Sequence, residues 1–153
     1  EAVRLCKEAG VALDVCGGDS DADYKKEILR LCDDKIRFMG EVSDSEKINL
    51  MQSCKALIYY IDRPEVTSHK VQEAMLCGAS VITMNIGALP EIVTQSINGY
   101  LCSCREEFIS AIKNVDMLKP MELYQRVKDT YSVEKVVANY LPLYREVAGG
   151  LRW

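Results

Sequence analysis

The stretch that is most informative about the fold runs from Asp62 to Ile92 and reads DRPEVTSHKVQEAMLCGASVITMNIGALPEI. Pro64 cannot lie inside a helix, so we expect a helix to begin near Thr67 or Ser68, either of which can be its N-cap. The apolar run from Ser80 to Met84 then predicts a strand, which a Gly-x-x-Pro-Glu turn follows. The stretch therefore predicts a loop, a helix and a strand in succession.

The segments on both sides continue this alternation. The apolar run from Ala56 to Ile61 is typical of a strand buried on both faces, and Ser43 to Glu46 form a capping box that should open a helix. Strands are predicted at 11–16, 36–39, 56–61, 80–84 and 100–102. Besides the helix that begins near Thr67 or Ser68 and ends at Cys77, helices are predicted at 1–9, 22–32, 43–54, 105–115, 120–130 and 132–147. This order predicts an α/β fold with a Rossmann-like parallel sheet flanked by helices.

Composition excludes several classes of protein. The 153 residues are 48% hydrophobic and 27% charged, which fits one globular domain. The formal net charge of −4 and the scattered basic residues argue against a nucleic-acid partner. Because no apolar run approaches the ~18 residues of a membrane span and no signal peptide opens the chain, we expect a cytoplasmic protein. Peripheral attachment of a longer protein to a membrane stays open.

The seven cysteines are scattered through apolar segments, at positions 6, 16, 32, 54, 77, 102 and 104. Their odd number and placement predict reduced, buried thiols that act as small hydrophobic side chains. Cys102 and Cys104 are separated by one residue, which is shorter than the spacing of a zinc pair, and no second pair follows. We therefore expect no metal site.

In a parallel sheet, ligands bind beyond the carboxyl ends of the strands, which here means the loops at 16–21, 40–45, 62–70 and 85–91. Glu65 lies in one of these loops, and Glu73 lies on the helix that follows it. The free amides at the start of that helix form a site for phosphate. Since a carboxylate can accept hydrogen bonds from pairs of sugar hydroxyls, this arrangement predicts a sugar-nucleotide site.

Several motifs occur in order along nearly the whole chain: LDVCGGDSD, IRFMGEVSDSEK, CKALIYYID, EVTSHKVQEAMLCG, SVITMNIGALPEIV, NGYLC and YSVEKVVANYLPLY. The Glu-x7-Glu spacing that runs into Glu-Ala-Met-x-Cys-Gly, with Gly-x-x-Pro-Glu-Ile-Val behind it, is the most specific part. In these motifs the chain resembles the carboxyl-terminal, donor-binding domain of retaining glycosyltransferases of the two-Rossmann-domain (GT-B) architecture. It is most similar to family 4, the glycosyl transferase group 1 type.

The resemblance implies a role for each motif residue. Glu65 would contact the donor sugar and face the reacting carbon, as the catalytic residue, and Glu73 would bind the ribose. The other implied donor-binding residues are Val66, Thr67, Ser68 and His69, whose amides would meet the diphosphate; Val42 at the nucleobase, with Asp44 and Lys47 nearby; and Gly17 and Gly18, which would keep the crevice open.

The resemblance also implies the partners. The substrate would be a nucleotide-diphosphate sugar, with no resident cofactor, and the acceptor would be a glycan or a lipid-linked glycan held by an amino-terminal domain.

The chain departs from the family pattern in two ways. Val66, Thr67 and Ser68 stand where the family has glycine and aromatic residues, and the family's basic phosphate-clamping residues precede the helix at 1–9.

We therefore expect these residues to be part of a longer two-domain enzyme and to be inactive alone. In the Rossmann strand order, a central strand should lie between the segments at 11–16 and 56–61. A sheet without it would leave a gap there. We expect that strand to come from residues outside this sequence or from a neighbouring chain.

Two alternatives stay open, while two others are excluded. The CGGDSD turn lacks the Gly-x-Gly-x-x-Gly pattern of a dinucleotide oxidoreductase, and no P-loop motif occurs. A sugar-nucleotide epimerase of the same architecture would need histidines, and His69 is the only one here. A non-catalytic nucleotide-sugar-binding module is the second alternative, because a fold does not fix a function.

Overall fold

The computed structural model describes residues 1–18, 21–117 and 120–150. The helices are α1 (Ala2–Ala9), α2 (Ala22–Leu31), α3 (Asp44–Ser53), α4 (His69–Leu76), α5 (Leu89–Ile92), α6 (Arg105–Asn114), α7 (Pro120–Tyr131) and α8 (Val133–Ala148), with a 3₁₀ turn at Val115–Met117. The strands are β1 (Leu13–Cys16), β2 (Ile36–Gly40), β3 (Ala56–Tyr59), β4 (Ser80–Met84) and β5 (Gly99–Cys102). The predicted α/β fold with parallel strands flanked by helices is confirmed.

Local signals explain where several helices begin and end. Ser43 and Glu46 form the expected capping box at the start of α3. Ser132 caps α8 through the amide of Lys135. Gly10 ends α1 with φ of 74°, a left-handed conformation that glycine adopts without a steric penalty. These contacts fix the predicted boundaries to within a few residues.

The strands form two separate parallel sheets. β1 pairs with β2, while β4 lies between β3 and β5. As expected, β1 and β3 do not pair with each other in the described part of the chain. A groove of about 1060 Å³ separates them, lined by residues of both strands and of α1, α3 and α6. The strand order is therefore that of a Rossmann sheet opened at its centre.

This opening corrects one expectation about β3. The run at 56–61 was expected to be a strand buried on both faces, but β3 ends at Tyr59 and all its residues are partly exposed. In contrast, β4 is buried over four of its five residues, because it has a partner strand on each side. β3 has a partner on one side only, and its other edge borders the groove.

Two hydrophobic cores hold the helices against the strands. One surrounds Phe108 and includes Leu5 and Ile36, and the other surrounds Met75 and Val81. Full burial of each such side chain contributes about 1.5–3 kcal/mol to stability. The second core anchors α4 against β4, and α4 follows the Glu65 loop, so this core fixes the position of the candidate site. In the part that the structure describes, no helix combines the length and apolar character needed to cross a bilayer.

The cysteines are only partly as expected. All seven are free thiols, and Cys6 and Cys102 are buried, but Cys16, Cys54 and Cys104 are exposed. The prediction of general burial is wrong for these three because they lie at the ends of elements. Cys16 ends β1, Cys54 is the C-cap of α3, and Cys104 is the N-cap of α6, where the backbone turns toward solvent.

Candidate functional site

The site is built where the loops that follow β3 and β4 touch. The Ala88 amide donates a hydrogen bond to the Glu65 carbonyl oxygen at 3.0 Å. Gly87 has φ of 58°, and a Cβ atom placed on it would lie 2.6 Å from the Glu65 carbonyl oxygen and 2.8 Å from its amide nitrogen. Only glycine therefore permits this approach. The sequence pointed to the turn that contains Gly87, but its contact with Glu65 depends on the fold.

The Glu65 side chain has a partner that sequence reasoning missed. The Tyr59 phenol donates a hydrogen bond to Oε2 of Glu65 at 2.7 Å. Burial raises the pKa of Tyr59, and the negative charge of Glu65 raises it further, so the phenol stays protonated and can donate. Both residues border a cavity of about 480 Å³ at the carboxyl end of β3. The only sequence signal was a tyrosine within an apolar run that precedes a functional loop.

The start of α4 is suited to bind an anion. Ser68 is its N-cap, as predicted, but the serine side chain does not cap the helix. Ser68 is 3% exposed, and within the described residues its Oγ has no hydrogen bond of acceptable geometry. Oγ lies near enough to the Tyr59 phenol to partly oppose the rise in its pKa. The first-turn amides lack helical acceptors, so they and the helix dipole favour negative charge.

The loop before α4 carries the departures noted in the sequence. Val66 and Thr67 are both exposed, and Val66 is 93% exposed. Because the apolar side chain of Val66 is not buried, it contributes little hydrophobic stabilisation to the fold. His69, the first residue of α4, is also exposed. The residues from Val66 to His69 therefore connect Glu65 to α4, with Ser68 buried and the other three exposed.

The structure brings together the residues expected around the ribose and base. Lys47 Nζ lies 3.3 Å from Oε2 of Glu73 and 3.2 Å from Oδ1 of Asp44. Hydrogen bonds to Asp44 and Glu73 raise the pKa of Lys47, so the lysine is charged at neutral pH. The Glu73 side chain is 45% exposed and can also accept hydrogen bonds from a ligand. Val42 and Lys47 both line the central groove.

The two predicted glycines are less tightly tied to this site. Gly17 continues the β1–β2 ladder by donating its amide to the Gly40 carbonyl at 2.9 Å. A Cβ atom on Gly17 or Gly18 would meet no atom within 4 Å. The described part of the protein thus gives no steric reason for glycine at either position. No group of His, Cys, Asp and Glu side chains suited to a metal ion occurs among the described residues.

The site therefore has two carboxylates, one in the loop that precedes α4 and one on α4 itself. Glu65 is held by β3 and by the loop after β4, while Glu73 is held by α4 and paired with Lys47 from α3. The amides between them can bind phosphate oxygens. Such a site can hold a ligand with hydroxyl groups at both ends and negative charge in the middle.

Comparison with known proteins places this arrangement in a family. A family model described as "Glycosyl transferases group 1" matches residues 1–130. The N-acetyl-alpha-D-glucosaminyl L-malate synthase of Bacillus anthracis is 25% identical, with 75% of this chain and 32% of that protein covered. The chain spans about a third of the length of the curated relatives that it matches.

Solved structures share the fold. AviGT4, a glycosyltransferase involved in avilamycin A biosynthesis, superimposes with a TM-score of 0.79 and 21% identity, covering 100% of this chain and 48% of that chain. Anabaena Alr3699/HepE, whose structure contains UDP, superimposes with a TM-score of 0.77 and 20% identity, covering 95% of this chain and 45% of that chain. At these identities the likeness concerns the fold, which is of the GT-B glycosyltransferase type.

Proposed function

The chain belongs to the glycosyl transferases group 1 family, and on that premise we propose that it binds the nucleotide-diphosphate sugar donor of a retaining glycosyltransferase of family 4. The observation that carries the proposal is the placement of Glu65 and Glu73 around the uncapped start of α4. This arrangement matches the three parts of such a donor, which are the sugar, the diphosphate and the ribose.

Each part of the site then has a role. Glu65 accepts hydrogen bonds from the donor sugar and faces the reacting carbon. The amides at the start of α4 bind the diphosphate and stabilise the charge that develops on it as the leaving group. Glu73 binds the ribose hydroxyls, and Val42, Asp44 and Lys47 border the nucleobase. No step of this scheme calls for a metal ion or a further cofactor from the chain.

The chain would be the carboxyl-terminal, donor-binding half of a longer cytoplasmic enzyme. Two observations support this proposal: the relatives are about three times as long, and the sheet is open between β1 and β3. The acceptor, a glycan or a lipid-linked glycan, would bind to an amino-terminal domain. We therefore expect no sugar transfer by these 153 residues alone.

A second candidate is a module that binds nucleotide sugars without catalysing transfer. The exposed Val66 directly after Glu65 favours this alternative, because glycine in that place would allow the backbone closer to the donor. This module would bind the same ligands. It would differ in lacking transfer in the full-length protein.

A thermal-shift panel on the full-length protein tests the proposal. Uridine, guanosine and adenosine diphosphates would be compared with their hexose conjugates, with UDP first because the Anabaena protein binds it. A ligand that binds only the folded state raises the melting temperature, and at a fixed ligand concentration a tighter ligand raises it more. We expect one nucleotide series to raise it, and the sugar conjugate to raise it more than the bare diphosphate. No shift with any series would refute donor binding.

A further inference from the structure

The carboxylate of Glu65 needs an interaction that holds it in one position. Glu65 lies in a loop between exposed neighbours, Pro64 and Val66, and loops are the more mobile parts of a fold. A group that contacts substrate must be held within roughly 0.5 Å of its working position by packing and hydrogen bonds. The backbone of Glu65 is fixed by Gly87 and Ala88, but these contacts leave its side-chain torsions free.

Tyr59 is well placed to supply the missing restraint. It is the last residue of β3, where it pairs with Thr83 of β4, and its carbonyl oxygen accepts a hydrogen bond from the buried Thr83 hydroxyl at 2.8 Å. The backbone of Tyr59 is therefore anchored to the most buried strand of the protein. Its side chain extends from this rigid point to the Glu65 loop.

The hydrogen bond itself distinguishes the two oxygens of the carboxylate. The Tyr59 phenol donates to Oε2 at 2.7 Å, which is the short distance typical of a hydroxyl bound to an anion. Oε1 has no hydrogen bond within the part of the chain that the structure describes. One oxygen is thus held by the protein and the other is available to a ligand. The buried Ser68, which is the N-cap of α4, lies near the same phenol. The contact between Tyr59 and Glu65 is therefore close to the start of α4.

We propose that Tyr59 is a positioning residue, which holds Oε2 of Glu65 so that Oε1 can accept a hydrogen bond from a hydroxyl of the donor sugar. This inference rests on the proposed function and adds a specific consequence to it. Tyr59 should govern the part of the affinity that the sugar contributes, and it should leave the nucleotide part unchanged. Tyr59 touches Glu65 and takes no part in the chemistry.

The test compares Tyr59→Phe with the wild-type protein by titration with UDP and with UDP-glucose. We expect the affinity for UDP to be unchanged and that for UDP-glucose to fall about 3- to 10-fold, the effect of losing one hydrogen bond. Tyr100→Phe is the matched control, because its phenol also makes one hydrogen bond, to the Asn114 carbonyl, away from the site. Equal losses for both ligands would mean a general structural effect and would overturn the proposal.

A double mutant tests whether Tyr59 acts through Glu65. Once Glu65→Ala has been made, adding Tyr59→Phe should cost no further affinity for UDP-glucose, because the positioned group is gone. An additive loss would show that Tyr59 acts on the ligand by another route. It would contradict a positioning role.

A ligand-free measurement separates this proposal from the proposed function. NMR couplings across the χ1 and χ2 bonds of Glu65 report whether its side chain is held in one rotamer. We expect Tyr59→Phe to average these couplings toward those of a freely rotating side chain, with no such effect from Tyr100→Phe. Unchanged couplings would overturn the restraint of Glu65 by Tyr59 even if nucleotide sugars bind. If the wild-type protein binds no nucleotide sugar, the proposed function fails, and the role of Tyr59 in sugar binding fails with it.

Discussion

Gly87 lies against the backbone of Glu65 so closely that a methyl group on the glycine would fall 2.6 Å from the glutamate's carbonyl oxygen. The left-handed φ of 58° at Gly87 adds a second reason for glycine there. The loop after β4 thus contacts the Glu65 loop and limits how closely the two backbones can approach. A residue without any side chain controls where the candidate catalytic carboxylate lies.

Gly87→Ala should therefore destabilise the protein and displace Glu65. The left-handed conformation alone costs a non-glycine residue about 1–2 kcal/mol, and relief of the overlap with the Glu65 backbone adds to this loss. Urea denaturation measures the free energy of unfolding. Gly18→Ala is the control, since a Cβ atom there meets no described residue within 4 Å. Equal stability of the two variants would show that the loop can move at little cost in free energy. The contact with Gly87 would then not determine the position of Glu65.

Three of the seven thiols should be alkylated early in the folded protein and two should resist, with the half-buried Cys32 and Cys77 between them. Cys16, Cys54 and Cys104 are exposed and should be labelled first. Burial raises the pKa of Cys6 to about 11 and that of Cys102 to about 12, so both are protonated and inaccessible at pH 8.

Mass spectrometry of peptides after brief iodoacetamide treatment identifies the labelled sites. Only the thiolate reacts, and at a pH below the pKa of a thiol its thiolate fraction is small. Labelling of the two buried thiols should therefore stay slow up to about pH 10 unless the protein unfolds. Denaturation should expose all seven together. Rapid labelling of Cys6 in native protein would contradict the packing of α1 against the core.

The groove between β1 and β3 should accept a parallel strand. An amino-terminal extension of a valine-rich strand and a short turn before Glu1 tests this, because Glu1 borders the groove. We expect the extension to raise the melting temperature and to protect amides of β1 and β3 from exchange, since each new backbone hydrogen bond contributes about 0.5–1.5 kcal/mol.

The matched control carries proline at the centre of the added strand, where it removes a ladder hydrogen bond. It should stabilise the protein less than the valine-rich strand. If neither extension protects β1 and β3, the groove is not a place for a strand. The opening between the sheets would then belong to the native fold.

Much of the fold could be predicted from the sequence because its signals are local. The capping box at Ser43 and Glu46 and the apolar run from Ser80 to Met84 fixed α3 and β4 closely. Burial was harder to predict. Cys16 is exposed because it ends β1, and β3 is partly exposed because it pairs with one strand only. The apolar composition of a segment indicates neither where it ends nor how many strands pair with it.

The positions of the candidate site residues on loops and helices were predictable from the sequence, but their contacts were less so. The spacing of Glu65 and Glu73 placed them on a loop and a helix, but the ion pair between Lys47 and Glu73 was not predicted. The contacts of Tyr59 and Gly87 with Glu65 join segments from different strands. Such contacts arise from the register of β3 against β4, which a single sequence does not specify.

The division of labour between the two glutamates is the central claim, and calorimetric titration of Glu73→Ala and Glu65→Ala with UDP and UDP-glucose tests it most directly. Glu73→Ala should lower the affinity for both ligands to a similar extent, because the ribose is common to them. We expect a fall of roughly 10- to 100-fold, since charge-assisted hydrogen bonds contribute about 1.5–3 kcal/mol. Glu65→Ala should leave UDP binding unchanged and remove the added affinity of the sugar. If both variants weaken bare UDP equally, the assignment of Glu65 to the sugar and Glu73 to the ribose is wrong.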